Sequence, residues 1–282
     1  MKRVIASAAL LALLGAGLSG CAGVASTVPD GVSVSIQQNR DDYGPRRIEI
    51  TVTNDTDASF DIFEARLDSR AFVAAAVTDH PIEVPAGTSK ALRLQLDAPA
   101  CGDGSGETTT VRLAYTTASG SGVATMTPTD PFGSIERIHR QDCFASLVAQ
   151  TATVTPAAAL RVVQQDGVAT AQLDVTLTPT GSGEPVTIDA IGRTILLRPA
   201  SGEELWPVGL PIDATTAPTT ITLDIIPNNC NTHTVSEDKR GTFFPVTVST
   251  AADGTEVFYL PVSRTVRGQL YDYISHDFCG WD

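Results

Sequence analysis

Basic residues are scarce in this chain. Nineteen Lys and Arg stand against 32 Asp and Glu in 282 residues, a formal net charge of −13. Nucleic-acid binding needs basic patches to neutralise phosphates, so this balance argues against a nucleic-acid partner. Aromatic residues are only 6% of the chain, and Met (2) and His (4) are too few for a Met- or His-rich copper-capture protein. Charged residues, at 18%, are too sparse for a coiled coil. Beyond the first twenty residues no uncharged apolar run approaches the length of a membrane-spanning helix. No G-x-S-x-G elbow, H-E-x-x-H, phosphate-binding loop or dinucleotide fingerprint occurs. What is present is 42% hydrophobic residues, enough for a packed core, with 23 Gly and 17 Pro to punctuate it. That combination reads as a turn-rich β protein.

The first residues, MKRVIASAALLALLGAGLSGC, have the layout of an export signal. Lys2 and Arg3 form a positive start, and residues 4–18 are an uncharged Ala/Leu-rich stretch, too short to span a bilayer. Leu18-Ser19-Gly20-Cys21 resembles the lipobox of bacterial lipoproteins: an aliphatic residue, two small ones, then Cys. The resemblance implies that residues 1–20 are removed, that Cys21 becomes a lipidated N-terminus, and that residues 21–29 act as a tether. Two or three acyl chains on one Cys anchor stably where a single chain does so only marginally. The expected location is the extracytoplasmic face of the cell membrane. The remaining chain carries 17 basic and 32 acidic residues, a sign that opposes docking on anionic lipid.

Apart from Cys21, the cysteines are Cys101, Cys143, Cys230 and Cys279. An even number in an exported chain suggests disulfides, and an internal repeat selects among the three pairings. Ile48-Glu49-Ile50-Thr51-Val52 matches Leu173-Asp174-Val175-Thr176-Leu177. Phe60-Asp61-Ile62 matches Val186-Thr187-Ile188, and Leu94-Gln95-Leu96-Asp97 matches Ile221-Thr222-Leu223-Asp224. Ile138 to Cys143 matches Ile274 to Cys279. Two copies of one domain follow, residues 30–148 and 149–282, with the bridges Cys101–Cys143 and Cys230–Cys279, one in each. Zinc is the competing use of four cysteines, but there is no C-x-x-C pair.

Alternating runs such as Val32/Val34/Ile36, Leu92/Leu94/Leu96 and Phe244/Val246/Val248 mark strands with one buried face. Leu160/Val162 and residues 195–197 read as strands as well. About seven short strands per copy predict an all-β chain of two tandem immunoglobulin-like antiparallel sandwiches. After the last hairpin of each copy, residues 132–138 and 264–274 do not alternate. Val266, Leu270, Tyr273 and Ile274 have helical spacing. The Cys that follows each stretch would pin it to the strand end carrying the earlier Cys.

No residue set in the sequence assembles into a catalytic or metal-binding constellation, and no cofactor is implied. His139 and His276 stand beside Asp142 and Asp277, a metal or acid/base pattern that polar loops near a disulfide would also produce. Asp41-Asp42 and Asn54-Asp55-Thr56-Asp57 offer oxygen ligands for Ca²⁺, and turn chemistry accounts for them equally. Gly102-Asp103-Gly104-Ser105-Gly106 reads as a flexible loop. Trp206, Trp281, Tyr271 and Tyr273 are either core or an exposed contact surface. The function this composes is a membrane-anchored binding or scaffold module with an envelope protein or glycan as partner. The alternatives are an envelope hydrolase or a metal- or solute-capturing lipoprotein.

Overall fold

A computed structural model describes residues 28–102, 108–251 and 254–281. The lipobox with Cys21, and most of the Gly102-to-Gly106 loop, lie outside them. The first half contains β1 (Val32–Gln37), β2 (Arg47–Asn54), β3 (Phe60–Ser69), β4 (Ala76–Thr78), β5 (Ile82–Val84), β6 (Thr88–Gln95), β7 (Thr109–Thr117) and β8 (Gly120–Met126). Helix α1 (Ser134–Thr151) follows. The second half has β9 (Ala152–Pro156), β10 (Arg161–Gln165), β11 (Val168–Pro179), β12 (Val186–Gly192), β13 (Leu197–Pro199), β14 (Leu205–Ile212), β15 (Thr219–Pro227), the short helix α2 (Thr232–Ser236), β16 (Phe243–Thr250), β17 (Gly254–Pro261) and α3 (Arg264–Asp272).

The chain is all-β, with two tandem immunoglobulin-like sandwiches. One sheet of the first is β1-β2-β6; the other is β4-β3-β7-β8, with β5 also on β3. The second repeats the plan as β10-β11-β15-β13, with β9 on β11, against β14-β12-β16-β17. All pairings between these strands are antiparallel. The alternation seen in the sequence puts Ile48, Ile50 and Val52 in the first core and Leu173, Val175 and Leu177 in the second.

Two details tie the copies together. The pairing of β3 with β7 breaks register between Ile62 and Glu64, and that of β12 with β16 breaks between Ile188 and Ala190. These are matching positions of the repeat, so each copy carries its bulge at the same place. Ile48 faces Leu94 in the first copy, whereas Leu173 faces Leu223 in the second, two residues further along the repeat. A slip of two leaves every side chain on its own face, so both cores stay apolar.

Residues 132–138 lead into a helix of 18 residues. Asp130 accepts the backbone N–H of Ser134 and of Ile135, satisfying two orphan donors of the first turn. Gly133, at φ 55°, makes the left-handed entry that favours glycine. The expected division at 148/149 falls inside α1. Ile138 belongs to the first core, and Phe144 and Val148 to the second. In the second copy α3 forms as its spacing predicts and continues into a π-helical turn, Tyr273–Phe278.

Both bridges are Cys101–Cys143 and Cys230–Cys279, each with Cα atoms 5.5 Å apart and each within one repeat. Cys101 and Cys230 follow the ends of β6 and β15, and each is pinned to the helical segment that closes its copy. In the chain-entropy model a loop of this size contributes about 4 kcal/mol.

Candidate functional site: the cleft between the sandwiches

A cleft of about 690 Å³ opens where the two copies meet. The first copy supplies Gln38, Arg40 and Tyr43 from the turn between β1 and β2. The second supplies Arg193 to Ile195 after β12, residues 237–240 ahead of β16, and Tyr259 on β17.

Buried charge fixes the first wall. Asp42 has no exposed surface. Arg47 and Arg93 lie 3.2 and 3.7 Å from its Oδ1, although neither guanidinium aligns for a hydrogen bond. Arg93 also reaches Asp41 (2.9 Å) and Glu49 (3.6 Å). A buried carboxylate persists only where cations compensate it, so this network holds the turn that presents Arg40 and Tyr43. Asp41 sits below the ordinary carboxylate range, through backbone hydrogen bonding first and Arg93 beside it next. With Arg47 and Arg93 beside it, the Asp41-Asp42 pair forms an ion-pair hub.

The second wall hangs on Asp238. Its Oδ1 accepts the backbone N–H groups of Arg240 and Gly241, and its Oδ2 accepts the Tyr271 hydroxyl at 2.9 Å. Burial, then the hydrogen bond to Asp238, pushes the Tyr271 phenol up to about 12, so it stays a donor. Arg240 is thereby aimed into the cleft. Its guanidinium carbon lies 3.6 Å from the Tyr43 ring centroid and 4.3 Å from that of Tyr259. Arg137 of α1 sits over Tyr43 at 4.9 Å and donates twice to Gln38 Oε1. Among the described residues Arg240, Arg40 and Lys239 have no carboxylate partner, whereas Arg193 is paired with Glu204. The Arg240 guanidinium is held by rings while its N–H edge is unused.

A second cleft of about 560 Å³ lies around the first disulfide. It is lined by Cys101, His139, Arg140, Cys143, Phe144 and Leu147, with Glu256 of β17 opposite. His139 Nε2 is 3.0 Å from Ala100 O and 3.2 Å from Cys143 Sγ. The two sulfurs and this imidazole cluster within ligand distance, but the sulfurs are bonded to each other, so they are not thiolate ligands.

The two histidines singled out in the sequence diverge. His276 is exposed and contacts Ser275 and the Asp272 carbonyl, and Asp142 pairs with Arg46 rather than with His139. Asn54 is a turn residue: its amide bonds Ala58, Val84 and Pro85 carbonyls and its oxygen accepts from Thr56. Trp206 is core, its indole N–H on Asp224 O and its ring edge-on to Phe244. Tyr273 is core too, its hydroxyl bonded to two carbonyls. The cleft residues Tyr43, Tyr259, Arg40 and Arg240 escape sequence reading. The one available signal is Lys239-Arg240, a pair of cations in a cation-poor chain.

No protein-family model matches the chain, and no curated protein matches it. Among solved structures the chain is similar to CBD12 from CALX1.2, at 12% identity over 74% of this chain and 76% of that one, TM-score 0.20. It is also similar to Amycolatopsis orientalis exo-chitosanase CsxA, at 16% identity and TM-score 0.20, over 81% of this chain but only 26% of the enzyme. A third is red sea bream transglutaminase, at 11% identity and TM-score 0.23, over 83% of this chain and 32% of that one. At these scores the likenesses carry no functional argument.

Proposed function

We propose that this protein is a lipid-anchored, extracytoplasmic binding module that takes an anionic envelope glycan in the cleft between its two sandwiches. The carrying observation is the set Arg240, Arg40 and Lys239, cations without carboxylate partners among the described residues, in a chain of net charge −13. A guanidinium whose edge is free matches a carboxylate or phosphate bidentately. The surrounding negative charge repels long polyanions, so the cleft favours a ligand whose charge is locally concentrated. The leader and Cys21 support anchoring, and two disulfides support an oxidising compartment.

The test has two arms. Mass spectrometry of the membrane fraction should find an acylated N-terminal Cys21; an intact leader without acyl groups overturns the anchor. Binding of carboxylated and phosphorylated glycan fragments, against neutral ones, should be measured on the wild type and on Arg240→Gln with Lys239→Gln. A tenfold loss in the variant supports the cleft, and unchanged affinity overturns it.

A further inference from the structure

We propose that the Cys101–Cys143 disulfide is an exchange-competent site, with Cys101 as the sulfur attacked by an incoming thiol and Cys143 as the leaving sulfur supported by His139. The reading is independent of the glycan cleft. Cys101 is exposed and Cys143 only partly so, and both line the second cleft. A thiol-bearing molecule entering there meets Cys101 Sγ first. Its thiolate forms a new S–S bond to that atom, the Cys101–Cys143 bond breaks, and the electron pair goes to Cys143 Sγ. A better-stabilised leaving thiolate speeds such exchange, alongside access to the attacked sulfur. His139 stands four residues before Cys143 on one face of α1, and its Nε2 is already 3.2 Å from the departing sulfur. With its proton on Nε2, the imidazole donates to Ala100 O and turns that N–H to the thiolate as charge develops. A second thiol attacks the mixed disulfide. The sum is two thiols oxidised to one disulfide and one protein disulfide reduced to two thiols.

The duplication supplies an internal control. Cys230 is exposed like Cys101, yet among the described residues no hydrogen bond joins an imidazole to Cys230 or Cys279, and the one His–Cys cluster is that of His139. His276 is engaged with Ser275 and Asp272 instead. Two bridges with the same place in the repeat therefore differ in the group that stabilises the leaving thiolate.

The full chain is incubated with glutathione, quenched by alkylation at intervals, and digested for mass spectrometry. We expect Cys101–Cys143 to open at least tenfold faster than Cys230–Cys279, with glutathione recovered on Cys101. His139→Ala should remove most of that advantage and His139→Gln, which keeps an N–H donor, should restore part of it. The ratio between the two bridges in the wild type decides the question even if the variants fold poorly. Equal opening rates, or glutathione recovered on Cys143, overturn the proposal.

Discussion

Tyr43 of the first copy and Arg240 of the second meet across the junction, the guanidinium carbon 3.6 Å from the ring centroid. Arg137, on the helix that both copies share, contacts the same ring. The ring therefore links three elements: the turn after β1, helix α1 and the segment ahead of β16. Cation–π contacts of partly desolvated groups contribute about 0.5–2 kcal/mol. Tyr43→Ala should lower stability in urea unfolding by about 1–2 kcal/mol, while Tyr43→Phe, which keeps the ring face, should stay within about 0.5 kcal/mol. Equal losses in both variants would place the energy in the hydroxyl instead.

Much of the fold is legible because strands with one buried face alternate, and Ile48, Ile50 and Val52 are all fully buried as their spacing predicts. The pairing of the cysteines is legible because the duplication copies each Cys with its flanking residues, one pair after a strand and the other at the helical segment that closes each copy. Helix α1 is not, for a physical reason. A helix that packs on one core shows one apolar stripe, but α1 gives Ile138 to the first core and Phe144 and Val148 to the second, with polar residues between. Ile195 misleads in the opposite way. It reads as part of a strand, yet it is 54% exposed beside a turn in which Thr194 accepts the N–H groups of Leu196 and Leu197, and β13 begins only at Leu197. Val162, also read as core-facing, is exposed on the edge strand β10. The cleft is illegible because its walls come from segments some two hundred residues apart, brought together only when the copies pack.

Ile62 and Ile188 occupy matching positions beside the bulge that both copies share, and both are fully buried. Truncating either to Ala removes three methyl or methylene groups and leaves a cavity, at a cost of about 2–5 kcal/mol. Because the two sit in separate cores, Ile62→Ala should speed hydrogen exchange of β3 and β7 amides, and Ile188→Ala those of β12 and β16. Loss of protection across both halves from either variant would show that α1 couples the cores into one cooperative unit.

Gly241 follows Arg240 and has no room for a side chain. A Cβ there would lie 2.4 Å from Leu196 Cγ and 2.7 Å from Asp238 Oδ1. Leu196 is itself buried, so it cannot swing away freely. Overpacking of this kind costs about 1–3 kcal/mol. Gly241→Ala should destabilise the second copy by that amount in chemical unfolding. It should also disturb the Tyr43 and Tyr259 ring resonances, since pushing on Asp238 moves the backbone that aims Arg240. Unperturbed ring signals with lowered stability would show that the cleft wall is held by other contacts.

Asp174 on β11 gives the fold an acid-sensitive point away from both clefts. Arg161 on the edge strand β10 holds it bidentately, at 2.6 and 3.0 Å, and Thr222 on β15 donates to it at 2.7 Å. The Arg161 hydrogen bonds first, then Thr222, hold the carboxyl down to about 2. Its folded value lies below the unfolded value, so the ionised form favours the native state. The contribution is full above about pH 4 and is lost as pH falls toward 2. The Arg161 side chain is half exposed, so solvent screening keeps the effect small, at most about 1 kcal/mol. An NMR titration should place the Asp174 midpoint near 2, and Asp174→Asn should weaken the β10–β11 pairing at pH 7 with a difference from wild type that vanishes below pH 2. A midpoint near 4 would show that the bidentate pair does not persist in solution and that β10 is held by its backbone ladder alone.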